Sequence, residues 1–407
     1  MTDILVDLNP NFARLGRSYL FSEIARRVEE EKKRILSRAA CYGAGERIIS
    51  LGIGDVSLPL SKAVAREMAR ASLEMGTEEG FVGYGDTHGE RSLREAICSR
   101  YGEMGALLDV DEIFVSDGAK GEIGDLNELF GDVEELIISP AYPVYLDASI
   151  ISGKRIRLLY AKKENGFLPS TEELDPVPRV IHLCSPNNPT GAVFNREALS
   201  KWVDFARESG SLIVFDAAYE SFISSSELPH SIFEIEGARD CAIEICSFSK
   251  MAGFTGVRCG WTAIARENRL YGMWKRRQGA RFNGACQIAQ RGAIAALSEQ
   301  GRRECEQSIA YYMENAKIMG ELLRKRGVFF TGGVHAPYLW MECPRGESSW
   351  HFFDRLLREA HVVCTPGVGF GESGEGFVRL SSFARREDIV EAMARLDDLL
   401  EKILGEK

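Results

Sequence analysis

No stretch of these 407 residues approaches the run of roughly 20 apolar residues that a membrane-spanning helix needs, so no membrane partner is expected. Disulfide and zinc frameworks are missing as well. The ten cysteines are scattered singly with no Cys-x-x-Cys, the pattern of free thiols in a reducing compartment, and no metal is expected. Positive charge is in deficit: 50 Lys and Arg against 60 Asp and Glu leave a net charge of −10 and a pI near 5.4. That balance argues against nucleic acid or an anionic membrane surface as a partner. The opening, Met1 to Asp7, lacks the pattern of a signal peptide, so the cytoplasm is the expected location.

What is present suits an enzyme. With 45% apolar residues, a chain of this length buries a large core and normally forms more than one domain. From Ala63 to about Leu297, helical patterns alternate with short apolar runs at Ile113–Ser116, Leu136–Ser139, Arg155–Leu159, Val180–Cys184, Leu212–Phe215, Ala242–Cys246 and Trp261–Ile264. Such alternation predicts an α/β fold with a mainly parallel sheet covered by helices. After Ile309 a long helical pattern gives way to strand-like runs at Tyr338–Glu342, Val362–Thr365 and Phe377–Ser381, a smaller α+β unit. Residues 18–40 read as an amphipathic surface helix. Gly369-Phe-Gly-Glu-Ser-Gly374 matches a dinucleotide-binding spacing, but it leads into another strand rather than a helix. It is expected to be a flexible loop.

The chemistry centres on Ser247-Phe-Ser-Lys-Met-Ala-Gly-Phe-Thr-Gly-Val-Arg258. Lys250 follows an apolar run and stands among hydroxyls, where its amine can condense with an aldehyde. Ser247, Ser249 and Arg258 can hold a phosphate dianion beside it. An imine-forming amine next to an anion cradle is what pyridoxal 5'-phosphate requires. Upstream, Ser211-Leu-Ile-Val-Phe-Asp216 reads as a buried strand delivering a carboxylate, which can pair with a protonated pyridine nitrogen. Asn188, in Ser-Pro-Asn-Asn-Pro-Thr-Gly191, and Tyr219, three residues past Asp216, can both donate to the phenolate oxygen of that ring. Ala119 and Lys120 follow a strand at a helix start, where backbone N–H groups meet phosphates. Arg379 alternates within a strand pattern and suits an α-carboxylate.

Asn-Pro-Thr-Gly, Asp-x-x-Tyr, Ser-x-Ser-Lys and Gly-x-Arg occur in this order, with 28, 34 and 8 residues between key positions. Together they resemble the fold-type I aminotransferases. Gly52-Ile-Gly-Asp55, Gly83-Tyr-Gly85, Ser116-Asp-Gly-Ala-Lys120, Tyr142-Pro143, Phe282-Asn-Gly-Ala285 and Gly376-Phe-Val-Arg-Leu-Ser-Ser382 look like the LL-diaminopimelate aminotransferases in particular, from Asn9 to about Asp397. The resemblance implies a large cofactor-binding domain over 61–295 and a small domain built from 1–60 and 296–407. It further implies catalytic roles for Lys250, Asp216 and Tyr219. Lys120 and Asn283 would grip the distal carboxylate of diaminopimelate, with Asn283 and Tyr142 also close to the cofactor. Tyr19, Gly54, Tyr142 and Asn188 would touch substrate. Tyr84 would reach the phosphate from a neighbouring subunit, hence a homodimer acting on small amino and keto acids. One segment departs from the family: Gly83-Tyr-Gly-Asp-Thr-His-Gly89 has Thr87 where an acid usually pairs with the distal ammonium, with Asp86 one residue early. Either Asp86 takes over, or the distal amine is read less strictly. The alternatives are an aspartate- or aromatic-type aminotransferase and, further off, a pyridoxal-phosphate lyase.

Overall fold

The computed structural model describes residues 6–15, 20–42 and 47–405. Among the described residues thirteen strands occur in the order β1 (Ile49–Ser50), β2 (Ile113–Ser116), β3 (Glu134–Ser139), β4 (Arg155–Tyr160), β5 (Arg179–Cys184), β6 (Leu212–Asp216), β7 (Ala242–Ser247), β8 (Gly260–Ile264), β9 (Phe330–Gly332), β10 (Tyr338–Glu342), β11 (Val362–Val363), β12 (Thr365–Pro366) and β13 (Phe377–Ser381). Seven of them form one sheet in the order β2-β8-β7-β6-β5-β3-β4. Every neighbouring pair is parallel except the two made by β8, which runs against both β2 and β7. The central strands β5 and β7 are buried along their whole length, as expected of strands covered on both faces. Caps mark the covering helices. Asn195 Oδ1 accepts from the Ala198 N–H at 2.8 Å at the start of Arg196–Ser209, and Gly210 ends that helix in the left-handed region.

The smaller sheet, β12-β13-β10-β9, is antiparallel throughout. Its core joins Ile24, Ile49 and Leu51 to residues from Ala316 onward, with no buried member between them in the chain. The N-terminal segment also pairs directly with the C-terminal unit, Ile49 opposite Val362 in parallel. The helix predicted over 18–40 is observed at Leu20–Tyr42, with Ile24 facing this core and Arg27 bonded to Asp354 at 2.8 Å. On this segregation of cores we propose domain limits near 60 and 296. Among the described residues no helix is long and apolar enough to cross a membrane.

Two local readings need correction, and two short strands fall outside the predicted runs. The run Val362–Thr365 is not one strand: Val362–Val363 pairs with β1, whereas Thr365–Pro366 turns to pair with β13. Pro366 has no N–H to give to a ladder, and β12 is accordingly an edge strand. The segment Gly369–Gly374 is not an unpacked loop. It forms two 3-10 turns with Phe370 buried, and it is tied to the large sheet by Ala141 N–H to the Phe370 carbonyl at 2.8 Å and Ser139 to Ser373 at 2.7 Å. Finally β1 and β9, of two and three residues, were too short to leave an alternating pattern.

The two sheets meet closely at Gly191, the glycine of Asn-Pro-Thr-Gly, which has φ +68°. A Cβ there would stand 2.5 Å from the Gly332 Cα and 3.2 Å from the Tyr338 carbonyl oxygen. Gly191→Ala therefore adds both backbone strain and a clash between the units, a loss of about 1–3 kcal/mol. Denaturant unfolding of the variant checks this, and wild-type stability would contradict it.

Candidate active site

Along the carboxyl edge of the large sheet lies a crevice of about 450 Å³, the place where open α/β sheets bind ligands. Lys250 enters it from the short helix Phe248–Met251, directly after β7. Its ammonium donates to the Gly54 carbonyl and lies 5.4 Å from the Phe383 ring centroid. Burial lowers the amine from its ordinary 10.5 to about 8, with the neighbouring Asp55 pulling the other way. An amine so placed yields its proton far more readily than a surface lysine.

Asp216 ends β6 and is 5% exposed. The Tyr145 hydroxyl donates to its Oδ2 at 2.6 Å, and the Ala218 N–H to its Oδ1 at 3.0 Å. The hydroxyls and guanidinium of the predicted cradle also converge. Ser247 Oγ and Ser249 Oγ are 2.9 Å apart, and Arg258 Nη1 donates to Ser249 Oγ at 3.1 Å. Among the described residues no carboxylate forms an ion pair with Arg258. The helix Ala119–Leu126 opens on the same crevice, and a Cβ at Gly118 would collide with the Arg258 guanidinium. Glycine there keeps the helix start and the arginine close enough to share one anion. A buried carboxylate, a reactive amine and an anion cradle in one crevice fit pyridoxal phosphate.

Arg379 is the most telling side chain. It is 2% exposed, with Nη1 donating to Asn188 Oδ1 at 2.7 Å and Nη2 to the Gly52 carbonyl at 2.8 Å. Its guanidinium carbon sits over Tyr338 at 4.3 Å and Phe370 at 4.9 Å, while Nε has no partner. A buried cation held only by neutral groups is costly until an anion arrives. Tyr219 is buried beside it and shares a 2.7 Å hydrogen bond with the Tyr338 hydroxyl.

Gly54, Ala119, Lys120, Tyr142, Asn188, Asp216, Tyr219, Ser247, Ser249, Lys250, Arg258 and Arg379 all line this crevice. Tyr84 and Asn283 do not. Tyr84 is 90% exposed, Asn283 is exposed, and their loops abut each other, a Cβ on Gly284 standing 3.1 Å from the Asp86 carbonyl oxygen. Tyr19 lies outside the described residues. Asp86 is also away from the crevice, and its carboxylate is already engaged. The His88 N–H and Nδ1 meet Oδ1 at 2.8 and 2.9 Å, and Arg94 Nη2 meets Oδ2 at 3.0 Å. Partial burial opposes its ionisation, yet His88 and Arg94 bring it below the ordinary carboxyl value. Sequence reasoning missed Tyr145, Tyr338 and Asp55. Tyr145 had a signal: it lies one helical turn past Tyr142 and so shares its face.

Residues 46–396 match the family model described as aminotransferase class I and II. Among solved structures, the chain is similar to the L,L-diaminopimelate aminotransferase of Chlamydomonas reinhardtii, with 40% identity, a TM-score of 0.91 and coverage of 98% of this chain and 100% of that one. It is also similar to an aspartate aminotransferase of Thermotoga maritima (27% identity, TM-score 0.83, 97% and 100% covered). An aromatic aminotransferase of Pyrococcus horikoshii matches at 26% identity and TM-score 0.80, with 92% and 99% covered.

The depressed Lys250 amine carries a stability signature. Below about pH 8 the amine is protonated in folded and unfolded chains alike, so the burial penalty is fully present. Between about 8 and 10.5 the unfolded chain holds the proton that the folded one has lost, and wild-type stability rises with pH. Lys250→Met should therefore stabilise the cofactor-free protein at pH 7, by at most ~3 kcal/mol, and the advantage should shrink by pH 10. Equal advantage at both pH values in denaturant unfolding would refute this account.

Proposed function

Since this chain belongs to the class I and II aminotransferase family, we propose that it is an LL-diaminopimelate aminotransferase. It would use pyridoxal phosphate to move an amino group reversibly between L-glutamate/2-oxoglutarate and LL-2,6-diaminopimelate/tetrahydrodipicolinate, a step toward lysine and peptidoglycan precursors. The observation that carries the reaction class is Arg379, a buried cation with no carboxylate partner among the described residues, in the same crevice as Lys250. The 40% identity over the whole chain to an enzyme of that name supports the substrate.

Pyridoxal phosphate, when bound, supplies an aldehyde for amines and a ring that takes up the electron pair left at Cα. Lys250 would hold it, with Ser247, Ser249, Arg258 and the Ala119 N–H on the phosphate. Asp216 would pair with the ring nitrogen, while Asn188 and Tyr219 would donate to the ring oxygen. Arg379 takes the substrate α-carboxylate in a two-pronged grip, which fixes Cα near the Lys250 amine. With substrate bound, the Lys250 amine would take the Cα proton onto Nζ and give it back, a general-base role suited to an amine near neutrality. Lys120 and Tyr142 line the remaining wall, where a second carboxylate would lie.

The exposed Tyr84 and Asn283 support a homodimer. The partner subunit's Tyr84 would reach the phosphate, and the partner subunit's Asn283 the distal carboxylate. The unpaired state of the nine described cysteines favours a reducing compartment such as the cytoplasm.

Borohydride treatment of the holoenzyme, followed by peptide mapping, should place the pyridoxyl label on Lys250. A label on another lysine overturns the assignment. The distal amine is a separate matter. With both Asp86 oxygens engaged by His88 and Arg94, we propose that the distal ammonium is read loosely. Asp86→Ala should then change the ratio of kcat/KM for LL-diaminopimelate over L-glutamate by less than about twofold. Thr87→Glu should raise that ratio about tenfold, since a charged partner is worth some 1.5–3 kcal/mol. A collapse of the ratio in Asp86→Ala would show instead that Asp86 reads the amine.

A further inference from the structure

Asp216 is tied into a line of buried side chains that none of the steps above employs. Tyr145, on the helix Pro143–Ile151, donates to Asp216 and stacks its ring on His182 with centroids 5.5 Å apart and planes inclined by 29°. His182 Nε2 lies 3.0 Å from Glu135 Oε2, and the Ser149 hydroxyl donates to the same oxygen. The line crosses three neighbouring strands, with Glu135 on β3, His182 on β5 and Asp216 on β6. Tyr145 and His182 are each 4% exposed, and Glu135 and Ser149 not at all.

Packing alone does not account for these groups. Glu135 Oε1 and His182 Nδ1 are buried without hydrogen-bond partners, and each such atom costs stability that an apolar residue would not. The polar line ends on Asp216, among the described residues the one buried carboxylate that lines the crevice. We propose that Tyr145, held in place by the His182–Glu135 pair, is a positioning residue that keeps the Asp216 carboxylate ionised and aimed at the ring nitrogen of the cofactor. Burial pushes the Asp216 carboxyl above its ordinary range, and the Tyr145 hydroxyl is the strongest influence drawing it back, followed by the Ala218 N–H and His182. The inference rests on the pyridoxal phosphate reading of the site.

The test is a binding measurement. Apoprotein is titrated with pyridoxal phosphate and with its analogue carrying C–H in place of the ring nitrogen. A carboxylate held ionised discriminates against the analogue; one free to become neutral tolerates it. The wild-type preference, as a ratio of Kd values, should fall about tenfold in Tyr145→Phe and several-fold in Glu135→Gln, with Asp216→Asn as the lower limit. Thermal unfolding of each variant establishes that it is folded, and Glu135→Gln keeps the test open if Tyr145→Phe is not. A purely structural role would weaken both ligands equally, and an unchanged ratio in the folded variants overturns the proposal. Failure of the wild-type protein to bind pyridoxal phosphate at all would reject the cofactor assignment, and this inference with it.

Discussion

Arg379 is the point at which the two halves of this molecule are held in one arrangement. Its guanidinium takes a side-chain oxygen from Asn188, beyond β5 of the large sheet, and a backbone carbonyl from Gly52, just after β1. It leaves β13 of the small sheet, between the rings of Tyr338 and Phe370. A cation this deeply buried needs acceptors, and the acceptors come from segments remote in sequence. The same constraint that joins the units therefore builds the substrate end of the crevice. Neutral partners hold the charge in place without neutralising it, which preserves its appetite for a carboxylate.

The electrostatics elsewhere in the crevice follow from this arrangement. Arg379 and Arg258 both press on the Lys250 amine, and burial does more than either to lower it. Lys250 can thus be charged or neutral near physiological pH, whereas the planar guanidinium forks of Arg379 and Arg258 suit anions. Burial raises the Asp216 carboxyl in turn, and partners oppose that shift. It is buried, but a hydroxyl and a backbone N–H are spent on it. Burial penalises the charged form of both groups within one cavity, and the Tyr145 hydroxyl and Ala218 N–H offset part of that penalty at Asp216.

The small sheet contributes packing as well as Arg379. Trp340, fully buried, stacks on Phe377 at 5.4 Å and meets Phe167 and Phe370 edge-on, so the segment around Phe370 is packed rather than loose. That packing explains why a glycine-rich stretch with a nucleotide-like spacing forms compact turns. Its glycines answer close approach: a Cβ on Gly374 would run into the Gly367 carbonyl oxygen, at 2.1 Å.

Strand-forming runs and the residues that end them were legible in the chain itself, because β-branched clusters and the motif spacings are local properties. Lys250, Asp216, Asn188 and Arg258 could be named from their immediate neighbours. The strand Val362–Thr365 was misread because its division depends on two different partners, β1 and β13, which no local pattern records. The link of Tyr145 and the Glu135–His182 pair to Asp216 was invisible for a related reason. Each is an ordinary residue in its own segment, and only the adjacency of β3, β5 and β6 brings them to Asp216. The fate of Asp86 was likewise open in the sequence, which offers a free carboxylate at that position. Folding brings Arg94 and His88 onto it. Local chemistry thus chose the reactive groups, while long-range contacts decided which of them are charged, which are engaged and which face the crevice, since burial and hydrogen-bond partners exist only once the chain has closed on itself.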